Sequence, residues 1–263
     1  MNTPEKIDYI VEWLKSQLKM SGMKGFVVGV SGGIDSALVS TLCAKTGLPT
    51  LAVVLPINAG LDDESNLMAH THLNELRNTY DNVETDAIYL NDAYNKFYEL
   101  FSEENTTEMA LVNTKARLRM TALYQLSAAR GYLVVGTGNK VEDFGVGFYS
   151  KYGDGGVDLS PIADLYKSEV YELAKELDIS EYILNATPTD GLWLDGRSDE
   201  EQIGATYDEL EDVMKKLKSH NGRFYNMEST DREKEVMEIY SKHRNKNMHK
   251  MLPIPVCKFP EEK

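Results

Sequence analysis

Residues 25–36 read Gly-Phe-Val-Val-Gly-Val-Ser-Gly-Gly-Ile-Asp-Ser, a short apolar strand that runs into a glycine pair and then a helix. That order suits a phosphate group. Gly32 and Gly33 carry no Cβ, so backbone N–H groups there can turn toward an anion, and a helix starting near Ile34 adds the positive end of its dipole. Ser31 and Ser36 place hydroxyls at either end of the loop. A carboxylate beside polyphosphate is repelled unless a cation lies between them, and Mg²⁺ is the usual one, so Asp35 reads as a metal ligand. A plain strand-to-helix turn would also contain these glycines. The position at the carboxyl end of the first strand, where open α/β sheets bind ligands, favours a site.

The surrounding elements must hold that loop. Ile7, Ile10, Val11, Leu14 and Leu18 recur at helical spacing, which predicts an amphipathic helix before a strand over 25–30. Helix over 34–46, strand over 51–55, helix over 62–78 and strand over 85–90 follow, and this alternation implies a parallel sheet. A long helical pattern from Thr107 to Arg130 closes at Gly131, and Tyr132 to Val135 makes a fourth strand leading into Gly136-Thr-Gly138. Residues 143–160 are glycine-rich and irregular, 167–178 and 207–217 are helical, and 187–204 form a polar loop.

At 263 residues with 42% hydrophobic side chains, the chain can fill one generous α/β domain, and residues 1–263 are expected to form one domain with helical extensions. A formal charge of −14 argues against nonspecific binding to nucleic acid or anionic membrane. Cys43 and Cys257 form no Cys-x-x-Cys pair and no disulfide framework. No stretch is apolar and long enough to span a membrane and no signal peptide is legible, so a cytoplasmic protein is expected.

Neither common glycine-rich phosphate signature fits residues 29–36. Ser31-Gly-Gly-Ile-Asp35-Ser36 resembles instead the pyrophosphatase loop of the N-type ATP pyrophosphatases. That resemblance implies that Gly29, Val30, Ser31, Gly32, Gly33, Ile34, Asp35 and Ser36 grip ATP, in a Rossmann-like, adenine-nucleotide alpha-hydrolase-like three-layer fold. Over about residues 5–252 further motifs in order resemble the ammonia-dependent NAD synthetases of that superfamily. Thr137 and Glu142 fit a Gly-Thr strand end followed five residues later by Glu, which implies an ATP contact and a second Mg²⁺ ligand. Lys151-Tyr-Gly-Asp-Gly-Gly156 with Asp158 matches the family's Lys-Phe/Tyr-Gly-Asp-Gly-Gly-x-Asp, whose Lys and last Asp contact deamido-NAD. Asp154 is read as structural. Between Glu142 and Gly147 the chain carries one residue more than the bacterial pattern.

By the same resemblance Lys167 and the Thr189 of Pro188-Thr189 contact ATP, and Arg117, His249 and Lys250 contact deamido-NAD. Arg119 competes with Arg117 but lies two residues on, hence on another helix face. Met251 stands where the bacterial enzymes often have Arg. Residues 187–204 resemble a mobile segment that closes over the site. The implied reaction is attack of the nicotinate carboxylate of deamido-NAD on the α-phosphorus of ATP, then displacement of AMP by ammonia. Asp35 and Lys167 are the catalytic candidates, no general base is evident, and a homodimer sharing the acceptor site is implied. The chain begins about two dozen residues before its first strand, which leaves no room for a glutamine amidase, so free ammonia is the expected donor. The competing readings are another pyrophosphatase-loop enzyme, such as a tRNA thiolase or GMP synthetase subunit, and a noncatalytic nucleotide-binding module.

Overall fold

The computed structural model describes residues 1–57, 64–187, 198–219 and 229–259. The chain opens with α1 (Thr3–Ser21), entered through a reciprocal Asn2–Glu5 capping box and ended by a left-handed Gly22. Then come β1 (Gly25–Gly29), α2 (Ile34–Lys45), β2 (Thr50–Val54), α3 (Glu64–Thr79), β3 (Val83–Ala87) and α4 (Asn91–Tyr98). The long α5 (Glu108–Arg130) is capped by the Thr107 side chain, and β4 (Tyr132–Val135) follows it. A π-helix over Lys140–Val146 precedes α6 (Lys167–Glu176), α7 (Glu181–Leu184), α8 (Asp199–Ile203), α9 (Tyr207–Ser219) and α10 (Asp231–Met251).

The four strands pair in the order β3-β2-β1-β4, all parallel. The third strand lies two residues before the stretch read from sequence. Its alternating exposure is that of an edge strand, whereas β2 is buried throughout and shows no alternation. Phe26, Val28 and Val135 on one face pack against α1, α2 and α6, while Ala52 and Val54 meet α3. Val27, Leu51, Val53 and Val134 face the other way, onto Leu123 and Leu126 of α5. Three layers result, as the motif resemblance implied. A separate apolar cluster joins the π-helix to α9 and α10 through Val141, Val146, Leu210 and Tyr240.

The helices α4 and α10 are not read from the sequence. In α4 only Tyr94 is buried, and α10 buries few apolar residues along 21 positions, so its periodicity is weak. Residues 199–203, within the stretch read as a polar loop, form α8 with its own Ser198–Glu201 capping box. Among the described residues no helix is long and apolar enough to cross a membrane.

The α2–α3 contact contains a buried histidine, His72, whose Nε2 lies 2.9 Å from Ser40 Oγ. Burial lowers its pKa to about 4. An unfolded chain takes up a proton near pH 6.5 that the native state refuses until about pH 4, so stability falls with pH through that window, by up to about 3 kcal/mol. The stability curve of His72→Gln between pH 7 and pH 4 is expected to be flatter than that of the wild type. Parallel curves would show that His72 is not the titrating group.

Candidate active site

Strands β1 and β4 are neighbours whose connections leave in opposite directions, so their carboxyl ends form the switch point of the sheet, where such folds open a crevice. A cavity of about 540 Å³ lies there, lined by residues 29–36 after β1, residues 55–57 after β2 and Gly136-Thr137-Gly138 after β4. That volume lies in the range of small-molecule sites.

The loop after β1 is held by its own hydroxyls. Ser31 N donates to Ser36 Oγ (3.1 Å), Gly33 N donates to Ser31 Oγ (3.2 Å), and Ser36 Oγ donates to the Gly33 carbonyl (2.9 Å). Gly32 sits at φ +89°, and a Cβ there would collide with the Ser65 carbonyl at the start of α3. Only glycine allows both the left-handed turn and this close approach. No side chain caps α2, whose first turn carries Asp35, and the loop that leads into it lines the cavity.

Across the crevice Lys167, at the first position of α6, reaches Asp35 Oδ2 at 2.5 Å and Glu142 Oε1 at 3.1 Å. Asn139 Nδ2 donates to Asp35 Oδ1 (3.2 Å), while Asn139 Oδ1 accepts from the amides of Val141 and Glu142. Tyr207 Oη donates to Glu142 Oε1 (2.6 Å) and lies 3.3 Å from Asp199 Oδ2. Residues 132 positions apart thus form one buried charge cluster. Burial raises the Asp35 carboxyl above the usual carboxylate range in spite of Lys167. Burial acts the same way on Glu142, but Lys167 and the Tyr207 hydroxyl outweigh it and hold that carboxyl low. Burial works against the Lys167 charge, yet the two carboxylates more than offset it and raise its pKa.

Two more carboxylates line the cavity, Asp143 and Asp154. Burial, with repulsion from Glu142 and Asp154, pushes Asp143 well up. Asp154, read from sequence as structural, accepts from Ser150 N (2.9 Å) and closes the 150–154 turn, and burial lifts its pKa to about 6.

The acceptor-side residues fall differently. Arg117 Nε donates to the Lys151 carbonyl (3.2 Å), Lys151 Nζ to the His249 carbonyl (2.7 Å), and Lys250 Nζ to the carbonyls of Gly147 and Tyr149. These four form a basic group beside the 147–152 loop, and none of them lines the cavity. Asp158 stands apart, accepting from Tyr124 Oη (2.9 Å) and Val134 N (2.8 Å). The α5 cations in the cavity wall are Lys115 and Arg119, one turn apart, with Arg119 Nε donating to the Leu55 carbonyl. Thr189, Pro188 and most of the 187–204 segment lie outside the described residues.

Sequence reasoning missed Asn139, Tyr207 and Asp199. Asn139 directly follows the Gly-Thr-Gly strand end, which was a usable signal, but Tyr207 and Asp199 have none in the linear order. Residues 140–146, the stretch in which the resemblance puts an extra residue, form a π-helix, a rare turn that often lies at functional sites.

The family model described as NAD synthase matches residues 6–253. The chain belongs to the NAD synthase family. It is 38% identical over 215 residues to an NH(3)-dependent NAD(+) synthetase of Finegoldia magna, covering 81% of this chain and 85% of that protein. Among solved structures, an NMN synthetase from Francisella tularensis superposes with a TM-score of 0.84 at 31% identity, covering 98% of this chain and 100% of that one. An NH3-dependent NAD synthetase from Campylobacter jejuni, in complex with a nitrate ion, gives 0.78 at 28% identity, with 98% and 100% covered. Family membership agrees with the motif resemblance and places the chain among enzymes rather than bare nucleotide-binding modules.

Proposed function

We propose that this protein is an ammonia-dependent NAD synthetase. It adenylylates the nicotinate carboxylate of deamido-NAD with ATP, releasing pyrophosphate, and amidates the product with ammonia to give NAD and AMP. The observation that carries the reading is the Asp35–Lys167–Glu142 cluster facing an uncapped helix N-terminus at the switch point of the sheet.

The chain's residues have defined tasks in it. The amides of 29–36 bind the β- and γ-phosphates, Thr137 faces the nucleotide from β4, and Lys167 offsets the negative charge that develops as pyrophosphate leaves. Thr189 would add an ATP contact. Asn139 and Tyr207 orient Asp35 and Glu142. The reaction needs two anions brought together with their charge neutralised, so positioning and electrostatics suffice without a protein nucleophile. Arg117, Lys151, His249 and Lys250, beside the 147–152 loop, would contact deamido-NAD, as would Asp158 from its place against β4.

Mg²⁺ fits this donor set. Two buried carboxylates converge on the single cation of Lys167, and Mg²⁺ takes one or two carboxylates together with substrate phosphate oxygens and water. Among the described residues no group of three or more His, Cys, Asp or Glu would hold an ion by itself. Asp35 and Glu142 would hold it, and when bound it neutralises polyphosphate charge.

The reading includes one domain over residues 1–263, a cytoplasmic setting and a homodimer. Tyr98, Leu100, Phe101 and Met109, between α4 and the start of α5, leave apolar surface exposed that a second copy would cover. Sedimentation at micromolar concentration should give a dimer, and a monomer throughout would remove that part.

A second acceptor is favoured by the Francisella tularensis structure. The same chemistry on nicotinate mononucleotide would give NMN, and the chain overlays that NMN synthetase with the higher TM-score of the two. The test supplies ATP, Mg²⁺ and ammonium with either acceptor and resolves amide product, AMP and pyrophosphate, beside Asp35→Ala. Equal yields of all three from deamido-NAD, lost in the variant, are expected. A kcat/KM for nicotinate mononucleotide more than about tenfold higher would reassign the acceptor, since each tenfold step is 1.4 kcal/mol of transition-state binding. Pyrophosphate without amide from either would defeat both readings.

A further inference from the structure

A helix normally leaves its last carbonyls without intrahelical partners, and those of a buried helix must be met by other donors. The π-helix over Lys140–Val146 ends inside the molecule against α10. Its terminal amides fold back, with Gly147 N and Phe148 N both donating to the Glu142 carbonyl. The carbonyls that follow are met one after another from α10. Arg244 Nη1 donates to the Phe144 carbonyl and to that of Gly145 (3.1 Å). Asn247 Nδ2 donates to the Val146 carbonyl (2.9 Å), and Lys250 Nζ to those of Gly147 (2.9 Å) and Tyr149 (2.7 Å).

Three donors spaced three apart on one helix thus hold five of six consecutive carbonyls of another segment. The fit depends on Gly147, at φ +67°, where a Cβ would lie 2.5 Å from Asn247 Cβ and 2.6 Å from Met251 Cε. Met251 packs here with its Sδ 3.9 Å from Arg244 Nη1. Arg244, two turns earlier on the same face, brings a guanidinium to this spot.

We propose that Arg244 and Asn247, with Lys250 as the third rung, are positioning residues. They fix the register of the π-helix and so aim the Glu142 carboxylate at Lys167 and Tyr207. A π turn is rare and has one residue more per turn than an α turn, so a return to α geometry would rotate Glu142 relative to the cavity. The donor ladder prevents that return. The catalytic part of this inference rests on the ligase reading above, whereas the structural part does not.

Two measurements on Arg244→Met, Asn247→Leu and Arg244→Lys test the proposal. The first is hydrogen exchange of the 141–148 amides in the free protein, which needs neither substrate nor metal. The second is steady-state ligation resolved into kcat and the KM values for ATP and acceptor. In Arg244→Met and Asn247→Leu, exchange at 141–148 should rise at least tenfold while β1, β2 and β4 stay protected. At the same time kcat should fall tenfold or more, with acceptor KM within twofold of wild type. Arg244→Lys keeps one donor and should recover most of both. Unchanged local exchange and kcat would overturn the proposal. So would a uniform rise in exchange over the whole sheet, because that marks a general stabilising role. If the wild type ligates neither acceptor, the function reading fails, while the exchange result still decides whether the ladder holds the turn.

Discussion

Lys167→Met is expected to lose ligation and much of the protein's stability together. Lys167 is almost fully buried between Asp35 and Glu142, at 5% side-chain exposure, and its ammonium is the cation they share. Removing one partner of a buried ion pair leaves uncompensated charge and costs about 3–5 kcal/mol. Here two carboxylates remain face to face, and burial already lifts Asp35, so one of them would take up a proton at neutral pH. Loss of a preorganised charge at the developing pyrophosphate should lower kcat by about 10²–10³-fold. Thermal melts and AMP formation measure the two effects separately. The double variant Asp35→Asn with Lys167→Met should regain part of the stability, because fewer charges are left buried, but none of the activity. Wild-type turnover in Lys167→Met would dismiss the role assigned to the cluster.

Gly32→Ala is expected to cripple ATP use with a single added methyl group. At φ +89° an L-residue is strained by about 1–2 kcal/mol, before the collision of its Cβ with the Ser65 carbonyl. Relief would have to come from moving the loop or the start of α3, and both line the cavity. A shift of about 1 Å in a positioning element can cost about 10²-fold in rate, so kcat/KM for ATP should fall by that order. The acceptor KM should change far less. Nucleotide titration of the folded variant checks this, and near-normal ATP affinity would mean that the 30–33 backbone does not hold the phosphates.

The parallel sheet and most element boundaries were legible because they depend on short-range patterns. The buried strand β2, the helix bounded by Thr107 and Gly131, and the glycine turn after β1 each announce themselves within about ten residues. Asp35 stood out from its place beside the glycine pair, and Glu142 and Lys167 from the family resemblance; the structure brings the three together. The helix α4 was missed because it is exposed on most sides, and α10 because its inward face uses Arg244, Asn247 and Lys250 in place of an apolar stripe. Helical phase separated Arg117 from Arg119 correctly, but only the packing of α5 against the sheet shows that Arg119 lines the cavity and Arg117 meets the 147–152 loop.

By itself the sequence determined the glycine turn after β1, the class of fold and the family, since each of these resides in contiguous residues whose backbone needs are local. Only the tertiary structure decided which charges meet. The Lys167 ammonium lies between carboxylates 132 and 25 positions away, and Tyr207 joins them from a further helix. No periodicity encodes such a meeting, because it follows from how the strands and helices pack. Burial then sets the energies, turning ordinary surface residue types into a buried charge cluster with shifted proton affinities.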